Sequence, residues 1–309
     1  MARHNNIGML AVIALIGFQG CIEERKESPT KGQVTVISSE SVMPMVQAQE
    51  QKFEELYAQA HIELLSATDR EAVSRLLSDS ITIIVTSRAL NAEERDVQDR
   101  MNMTIAEYKI AYDGVAVVVN LGNPISRLRT TQLDSILRGI ATTWKSLGGE
   151  STGKIEVCLP SRNSGEFEVL TSKVTRGAAV AVPAAVTQTS LEMITYVKNH
   201  PDAIGFVGLC WLSNQKEKVQ IVELADPHAP DSLGIAGKYF GAHTAYVYQR
   251  FYPLTHEIFI YSRADNYGVA AGFLTFITSG PGQKIVLNSG LVPATMPVRL
   301  VETTNRPIK

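Results

Sequence analysis

The sequence is short of cysteine and of any dominant charge, and these shortages limit what it can bind. Lys and Arg number 29 against 31 Asp and Glu, which gives a net charge of −2. Because no basic run or stripe is present, a nucleic acid is not an expected partner. An anionic ligand would have to be captured by a local pocket, since the overall charge provides no attraction.

The three cysteines and six histidines show no metal-site spacing. No two histidines stand four residues apart, and no Cys/His pattern typical of zinc occurs. We therefore predict no metal and no cofactor. Cys158 and Cys210 lie in apolar segments and are expected to be buried free thiols, although the sequence leaves a disulfide between them open.

The N-terminus has the pattern of an export signal. Residues 7–18 form an apolar run that is too short to span a bilayer as a folded helix but fits the core of a signal peptide. The segment Phe18-Gln19-Gly20-Cys21 resembles a bacterial lipobox, in which Leu is more usual than Phe18. The resemblance implies cleavage before Cys21 and lipidation of its thiol, with ordinary secretion as the alternative. We assign residues 1–20 to the signal peptide and residues 21–32 to a charged tether.

The middle of the chain carries a strand that ends in a turn suited to an anion. The apolar run at residues 155–159 predicts a buried strand, Pro160 ends it, and Ser164 and Gly165 lead into a helix. The free N–H groups at the start of a helix favour an anion, and Arg162 can add guanidinium donors. The alternative is an ordinary helix cap beside a surface arginine.

Two earlier strands end in similar polar turns. Polar side chains directly follow the strands predicted at residues 33–37 and 81–85, namely Ser39, Glu40, Ser41, Ser87 and Arg88. Between these two strands, Thr68 and Glu71 have the spacing of a capping box at the start of another helix. Ligands of open α/β sheets lie at the carboxyl ends of strands. The repeated polar turns therefore favour a shared binding site at one edge of the sheet.

Three segments extend this pattern into an ordered series of motifs. They are residues 115–124 (VAVVVNLGNP), the turn Arg162-Asn163-Ser164-Gly165, and residues 203–208 (AIGFVG). In this order they resemble phosphate ABC-transporter substrate-binding proteins, and the resemblance covers most of residues 33–295. It implies an α/β, two-lobed type II periplasmic-binding-protein fold, in which a hinge motion closes two lobes on a ligand in the cleft.

The resemblance also divides the chain and assigns a ligand site. We place the crossovers near residues 108–113 and 253–260, so that one lobe comprises residues 33–109 plus 257–309 and the other residues 113–252. The family pattern assigns phosphate-binding roles in both lobes to Ser39, Ser41, Ser87, Arg88, Arg162, Ser164 and Gly165. Hydroxyls, backbone N–H groups and guanidiniums suit a small tetrahedral oxyanion.

The sequence departs from the family pattern at the group that accepts the proton of hydrogen phosphate. Many family members carry an Asp where this chain has Arg88, and Glu166 replaces a Thr. Our hypothesis is that Glu40 or Glu166 supplies the missing acceptor, with Arg88 compensating its charge. The alternative is that both glutamates face solvent or cap helices.

The resemblance implies a lipid-anchored, monomeric binding protein that passes phosphate to an ABC permease in the membrane, facing the periplasm or the cell surface. Alternatives are a binding protein for sulfate, molybdate or tungstate, and a sensory or adhesive lipoprotein that reuses the fold. A hydrolase using Ser164 is disfavoured, because the sequence has no G-x-S-x-G elbow and no histidine base can be assigned. We therefore predict no enzymatic activity.

Overall fold

The computed structural model describes residues 27–149, 153–213, 215, 217–263 and 267–298. The predicted signal peptide, the predicted lipidation site Cys21 and the first part of the predicted tether lie outside these residues. In the described ranges, none of the helices combines the length and the apolar character that a bilayer span requires.

Strands and helices alternate along most of the described chain, as β-branched runs alternate with capped amphipathic segments. The strands are β1 (Lys31–Ser39), β2 (Gln59–Ala67), β3 (Ile83–Thr86), β4 (Ile105–Val119), β5 (Arg127–Arg129), β6 (Glu156–Pro160), β7 (Ala184–Thr187), β8 (Ala203–Gly208), β9 (Gln220–Ile221), β10 (Glu223–Ala225), β11 (Tyr239–Phe240), β12 (Thr255–Arg263) and β13 (Val292–Pro293). The α-helices are α1 (Met43–Leu56), α2 (Asp69–Leu77), α3 (Ala92–Arg100), α4 (Thr130–Leu137), α5 (Gly165–Val169), α6 (Ser190–Asn199), α7 (Leu209–Leu212), α8 (Thr244–Tyr248), α9 (Gly268–Thr278) and α10 (Gly280–Asn288). A π-helical turn, Leu170–Val174, continues α5.

The main sheet has the strand order β2-β1-β3-β12-β4-β8-β6-β7, with β13 and β9 also paired to β4. A small separate sheet has the order β11-β10-β5. The pairs β1–β2, β1–β3, β6–β7 and β6–β8 are parallel. Parallel strands need helices on their faces, and the intervening helices supply this cover.

The long strand β4 joins two halves of the main sheet. Residues 105–114 pair antiparallel with β12, whereas Val115–Val119 pair with β8. We call β2, β1, β3 and β12 with their helices the first half, and β8, β6 and β7 with theirs the second half. Val115–Val119 is fully buried, which explains its uninterrupted apolar sequence. The lobe boundaries given above remain a prediction.

Capping residues fix where the helices begin next to the strands. The Thr68 hydroxyl accepts a hydrogen bond from the Glu71 N–H at the start of α2, and the Ser164 hydroxyl does the same for the Phe167 N–H at the start of α5. Helix α6 is capped by Thr189, whose hydroxyl accepts a hydrogen bond from the Glu192 N–H. The carboxyl ends of β1, β2, β3, β6 and β7 therefore meet the cleft between the two halves with helix starts beside them.

Candidate functional site

The cleft is built around the carboxylate of Asp69, the first residue of α2. Its Oδ1 accepts hydrogen bonds from the backbone N–H of Ser87 at 2.6 Å and from the Ser87 hydroxyl at 3.0 Å. Its Oδ2 accepts from the hydroxyl of Ser39 at 2.9 Å and from the backbone N–H of Gly165 at 2.8 Å. We call these four donors the cradle. Asp69 itself is 0% exposed.

The cradle takes donors from both halves of the sheet. Ser39 ends β1 and Ser87 directly follows β3, so both hydroxyls come from the first half. Gly165 opens α5 in the second half, where its N–H has no partner within the helix. A Cβ at Gly165 would collide with the Ser87 hydroxyl and approach the Ser87 carbonyl. The close approach of the two halves therefore depends on glycine at this position.

A second carboxylate crosses the cleft beside the cradle. Glu40 of the first half accepts hydrogen bonds from the Ser190 backbone N–H at 2.9 Å and the Ser190 hydroxyl at 3.0 Å, at the start of α6. Burial raises the pKa of Glu40, and the Ser190 hydrogen bonds oppose that shift. The Trp211 indole N–H also donates to the Glu40 carbonyl at 3.0 Å. In this form the Glu40 carboxylate is engaged by the second half.

Glu166 lies buried between these two carboxylates, with 3% of its surface exposed. Burial, and then the negative charge of Asp69, raise the pKa of Glu166 to about 8. The side chain therefore holds its own proton at pH 7 and can donate a hydrogen bond. It lines a residual cavity of about 20 Å³ together with Ser39, Glu40 and Ser41. Burial therefore favours the protonated form of Glu166, while the Glu40 carboxylate accepts from Ser190 in this form. The hypothesis that Glu40 or Glu166 accepts a ligand proton remains a prediction.

Neither of the two arginines predicted at the ligand forms an ion pair with the Asp69 carboxylate in this form, and their roles in ligand binding remain predictions. Arg88 pairs with Glu94, at 2.6 Å and 2.7 Å between guanidinium nitrogens and carboxylate oxygens, and lies 3.4 Å from the carboxylate of Glu168. Arg162 is exposed, and its guanidinium lies 5.8 Å from the centre of the Phe167 ring. Arg88 is therefore paired chiefly with Glu94, and the charges of Asp69 and Glu168 also act on it.

Most of the other residues predicted at the site come together. Ser39, Ser87 and Gly165 are cradle donors, and the Ser41 hydroxyl lies 2.8 Å from that of Ser39. Ser164 caps α5 and lines the residual cavity. Their roles in binding a ligand remain predictions.

Asp69 is the residue that sequence analysis missed. The spacing of Thr68 and Glu71 explained this turn as a helix cap, and the cap is present. The available signal was position, because the turn follows a strand that is parallel to β1. Every parallel strand of a sheet directs its carboxyl end to the same edge. An acidic residue in this turn was therefore as good a candidate for the site as the serines.

A larger cavity of about 1010 Å³ lies on the other side of the contact between Ser87 and Gly165. Its wall includes His256, which faces Asp113 across the β4–β12 pair at 3.9 Å between Nε2 and Oδ2. Burial lowers the pKa of His256 to about 3 and raises that of Asp113 to about 7. Among the described residues, no group of three or more His, Cys, Asp or Glu side chains is placed to hold a metal ion. Cys158 and Cys210 are buried free thiols, as expected.

Comparison with known families identifies the class of protein. Residues 23–281 match the model of the PBP (periplasmic-binding-protein) superfamily domain. The match spans most of the chain, and the chain therefore belongs to this superfamily. The fold predicted from the sequence, an α/β two-lobed binding protein with a cleft, is confirmed.

Several proteins similar to this chain are named as phosphate-binding or phosphate-transport proteins. A curated Staphylococcus aureus relative, the phosphate-binding protein PstS, is 24% identical over 273 residues, which cover 86% of this chain and 80% of the relative. A Clostridium perfringens structure, described as a candidate phosphate ABC transporter substrate-binding protein with bound phosphate, is 22% identical with a TM-score of 0.73, over 85% of this chain and 100% of its own. An ABC-type phosphate transport receptor from Vibrio cholerae is 23% identical with a TM-score of 0.64, over 85% and 100% of the two chains.

Proposed function

We propose that this protein is the substrate-binding component of an ABC transporter and that its ligand is inorganic phosphate. The observation that carries the proposal is the convergence of four donors from both halves of the sheet on one carboxylate, Asp69. Donors arranged in this way around two oxygen atoms also suit other small oxyanions. The curated relatives named as phosphate-binding proteins support phosphate among these ligands.

Phosphate would bind where the Asp69 carboxylate now lies. Hydroxyl and backbone N–H donors would contact its oxygens, and the protonated carboxyl of Glu166 would add one more donor from the wall of the cavity. The absence of a guanidinium in the cradle favours a monoanion over a dianion, since the charge of a buried ion must be compensated locally. Phosphate is mainly the monoanion, dihydrogen phosphate, at mildly acidic pH, whereas sulfate stays a dianion.

The proposal includes a lipid anchor at Cys21, a monomeric state and delivery of the ligand to a membrane permease. The lipobox-like segment before Cys21 supports the anchor, which would hold the binding domain outside the cytoplasmic membrane. Mass spectrometry of the protein from membranes should find a diacylglyceryl-modified N-terminal cysteine. A Cys21→Ser variant should be released into the soluble fraction, and an unmodified mature N-terminus elsewhere in the chain would contradict the anchor.

Calorimetry of residues 27–309 tests the ligand. Phosphate, sulfate and molybdate are titrated separately at pH 6 and pH 8. We expect saturable heat with phosphate, stronger at pH 6, and none with the other two anions. If sulfate or molybdate bound more tightly than phosphate, that anion and not phosphate would be the ligand. Gel filtration with light scattering on the same samples tests the monomer.

A further inference from the structure

We infer that Asp69 is a built-in occupant of the cradle, which closes the two halves in the absence of ligand and competes with phosphate for the same donors. The competition rests on the proposed function, whereas the closure rests only on the contacts of this side chain. Asp69 is then the residue that sets how tightly the cleft can bind an anion.

The first argument is that the donors are already used. The Asp69 carboxylate accepts from two hydroxyls and two backbone N–H groups at distances of 2.6–3.0 Å. The residual cavity beside it measures about 20 Å³, which holds roughly one water molecule. In this form the four donors are occupied, and the small cavity bounded by Ser39, Glu40 and Ser41 is too small for a phosphate ion.

The second argument is electrostatic. Buried like charges repel strongly because the interior screens them poorly, and Asp69 and Glu40 both carry carboxylates into this cleft. Neither Arg88 nor Arg162 donates to the Asp69 carboxylate, since Arg88 pairs with Glu94 and Arg162 is exposed. An oxyanion therefore cannot be added beside Asp69 and has to displace it.

The third argument is that Asp69 links the two halves of the molecule. Its Oδ2 joins Ser39 of the first half to the Gly165 N–H of the second. The adjacent Arg70 N–H donates to the Asn163 carbonyl at 3.3 Å, which strengthens the same junction. A carboxylate tethered this close has a high effective concentration, so it closes the cleft as a bound anion would. The apparent affinity for a free anion is proportional to the fraction of molecules that are open.

The experiment compares wild type with Asp69→Ala and with the isosteric Asp69→Asn. Glu93→Ala is the matched control, because Glu93 is an exposed acid in the first turn of α3. Closure is measured without phosphate by small-angle X-ray scattering and by the fluorescence of Trp211, which contacts Glu40 across the cleft. Phosphate affinity is measured by calorimetry on the same proteins.

We expect Asp69→Ala to be open without phosphate and to bind phosphate at least tenfold more tightly than wild type. Asp69→Asn keeps one acceptor oxygen, so its closure and its phosphate affinity should lie between those of wild type and Asp69→Ala. Glu93→Ala should match wild type in both. If wild type binds phosphate and Asp69→Ala loses it, Asp69 is a ligand-binding group and the inference is overturned, although the proposed function stands. If Asp69→Ala stays closed without phosphate, the closure is overturned directly.

The two proposals can fail separately. If Asp69→Ala opens but no variant binds phosphate, the closure by Asp69 is supported and the phosphate function is rejected. A folded state is confirmed for each variant by circular dichroism, and Asp69→Asn provides the decisive comparison if Asp69→Ala unfolds.

Discussion

Glu40 accepts two hydrogen bonds from Ser190 across the cleft, one from the backbone N–H and one from the hydroxyl. A hydrogen bond to a charged group contributes about 1.5–3 kcal/mol, and the carboxylate also lies at the positive end of the α6 dipole. We predict that Glu40→Gln shifts the equilibrium between closed and open forms toward the open form by about tenfold. Small-angle scattering without ligand and the fluorescence of Trp211 measure this shift.

Glu63→Gln is the matched control for this prediction. The Glu63 carboxylate accepts a hydrogen bond from the Thr35 hydroxyl at 2.8 Å, and β1 and β2 belong to the same half of the sheet. Removing its charge should leave the cleft as it is in wild type. Equal opening in both variants would show that the Glu40–Ser190 contact does not hold the halves together.

A methyl group at position 165 should also open the cleft. The added Cβ of Gly165→Ala would overlap the Ser87 hydroxyl and press on the Ser87 carbonyl, and overpacking of this kind costs about 1–3 kcal/mol. Because Ser87 and Gly165 belong to different halves, separation of the halves relieves the overlap. We expect a larger radius of gyration and faster proteolysis in the cleft. Gly241→Ala, where a Cβ meets nothing within 4 Å, should behave as wild type, and a closed Gly165→Ala protein would contradict the geometry.

The sequence identified most of the fold because its signals are local. The apolar run at residues 155–159 predicted a buried strand, and the structure has strand β6 at Glu156–Pro160, with its last four residues buried. The helix start predicted from the spacing of Thr68 and Glu71 is present at α2. The polar ends of separate strands indicated a shared site, and Ser39, Ser87 and Gly165 do meet there, because parallel strands direct their carboxyl ends to one edge.

The sequence could not show which charges face the cleft. The sequence contains both Arg88 and Glu94 but does not predict that they pair, because their side chains meet only through the position of α3. The role of Asp69 in the cleft was not predicted, because an acid in the first turn of a helix that starts at Thr68 already has a local explanation. Whether that acid faces solvent or an opposing N–H group depends on tertiary packing, which local patterns do not encode.

Arg88 should matter for stability rather than for ligand binding. Its side chain is 9% exposed and that of its partner Glu94 is 13% exposed, so Arg88→Gln leaves a largely buried carboxylate without its counter-ion. Breaking a buried pair costs about 3 kcal/mol or more. We predict a loss of this size in urea unfolding, with phosphate affinity changed less than threefold in any variant that binds phosphate.

Arg127→Gln is the control for Arg88, because its ion pair with Glu223 has side chains 63% and 42% exposed. Exposed pairs contribute about 0–1 kcal/mol, so this variant should unfold almost as wild type does. If Arg88→Gln lost phosphate binding at unchanged stability, Arg88 would be a ligand-binding residue and the prediction would be wrong.

The protonation of Glu166 should make the protein less stable as pH rises. Its pKa is raised from 4.5 to about 8 by burial and by the charge of Asp69. Between these two values the folded state keeps a proton that the unfolded state releases. The stabilisation is therefore complete below about pH 4.5 and is lost as pH rises through about 8, with a slope of at most about 1.4 kcal/mol per pH unit.

The variant Glu166→Gln tests this pH dependence, because its side chain has no proton to release. Its free energy of unfolding, relative to that of wild type, should increase between pH 5 and pH 8, as urea titrations at several pH values can measure. The exposed Glu63→Gln should keep the wild-type slope, and parallel curves for wild type and Glu166→Gln would show that Glu166 is already ionised in the folded protein.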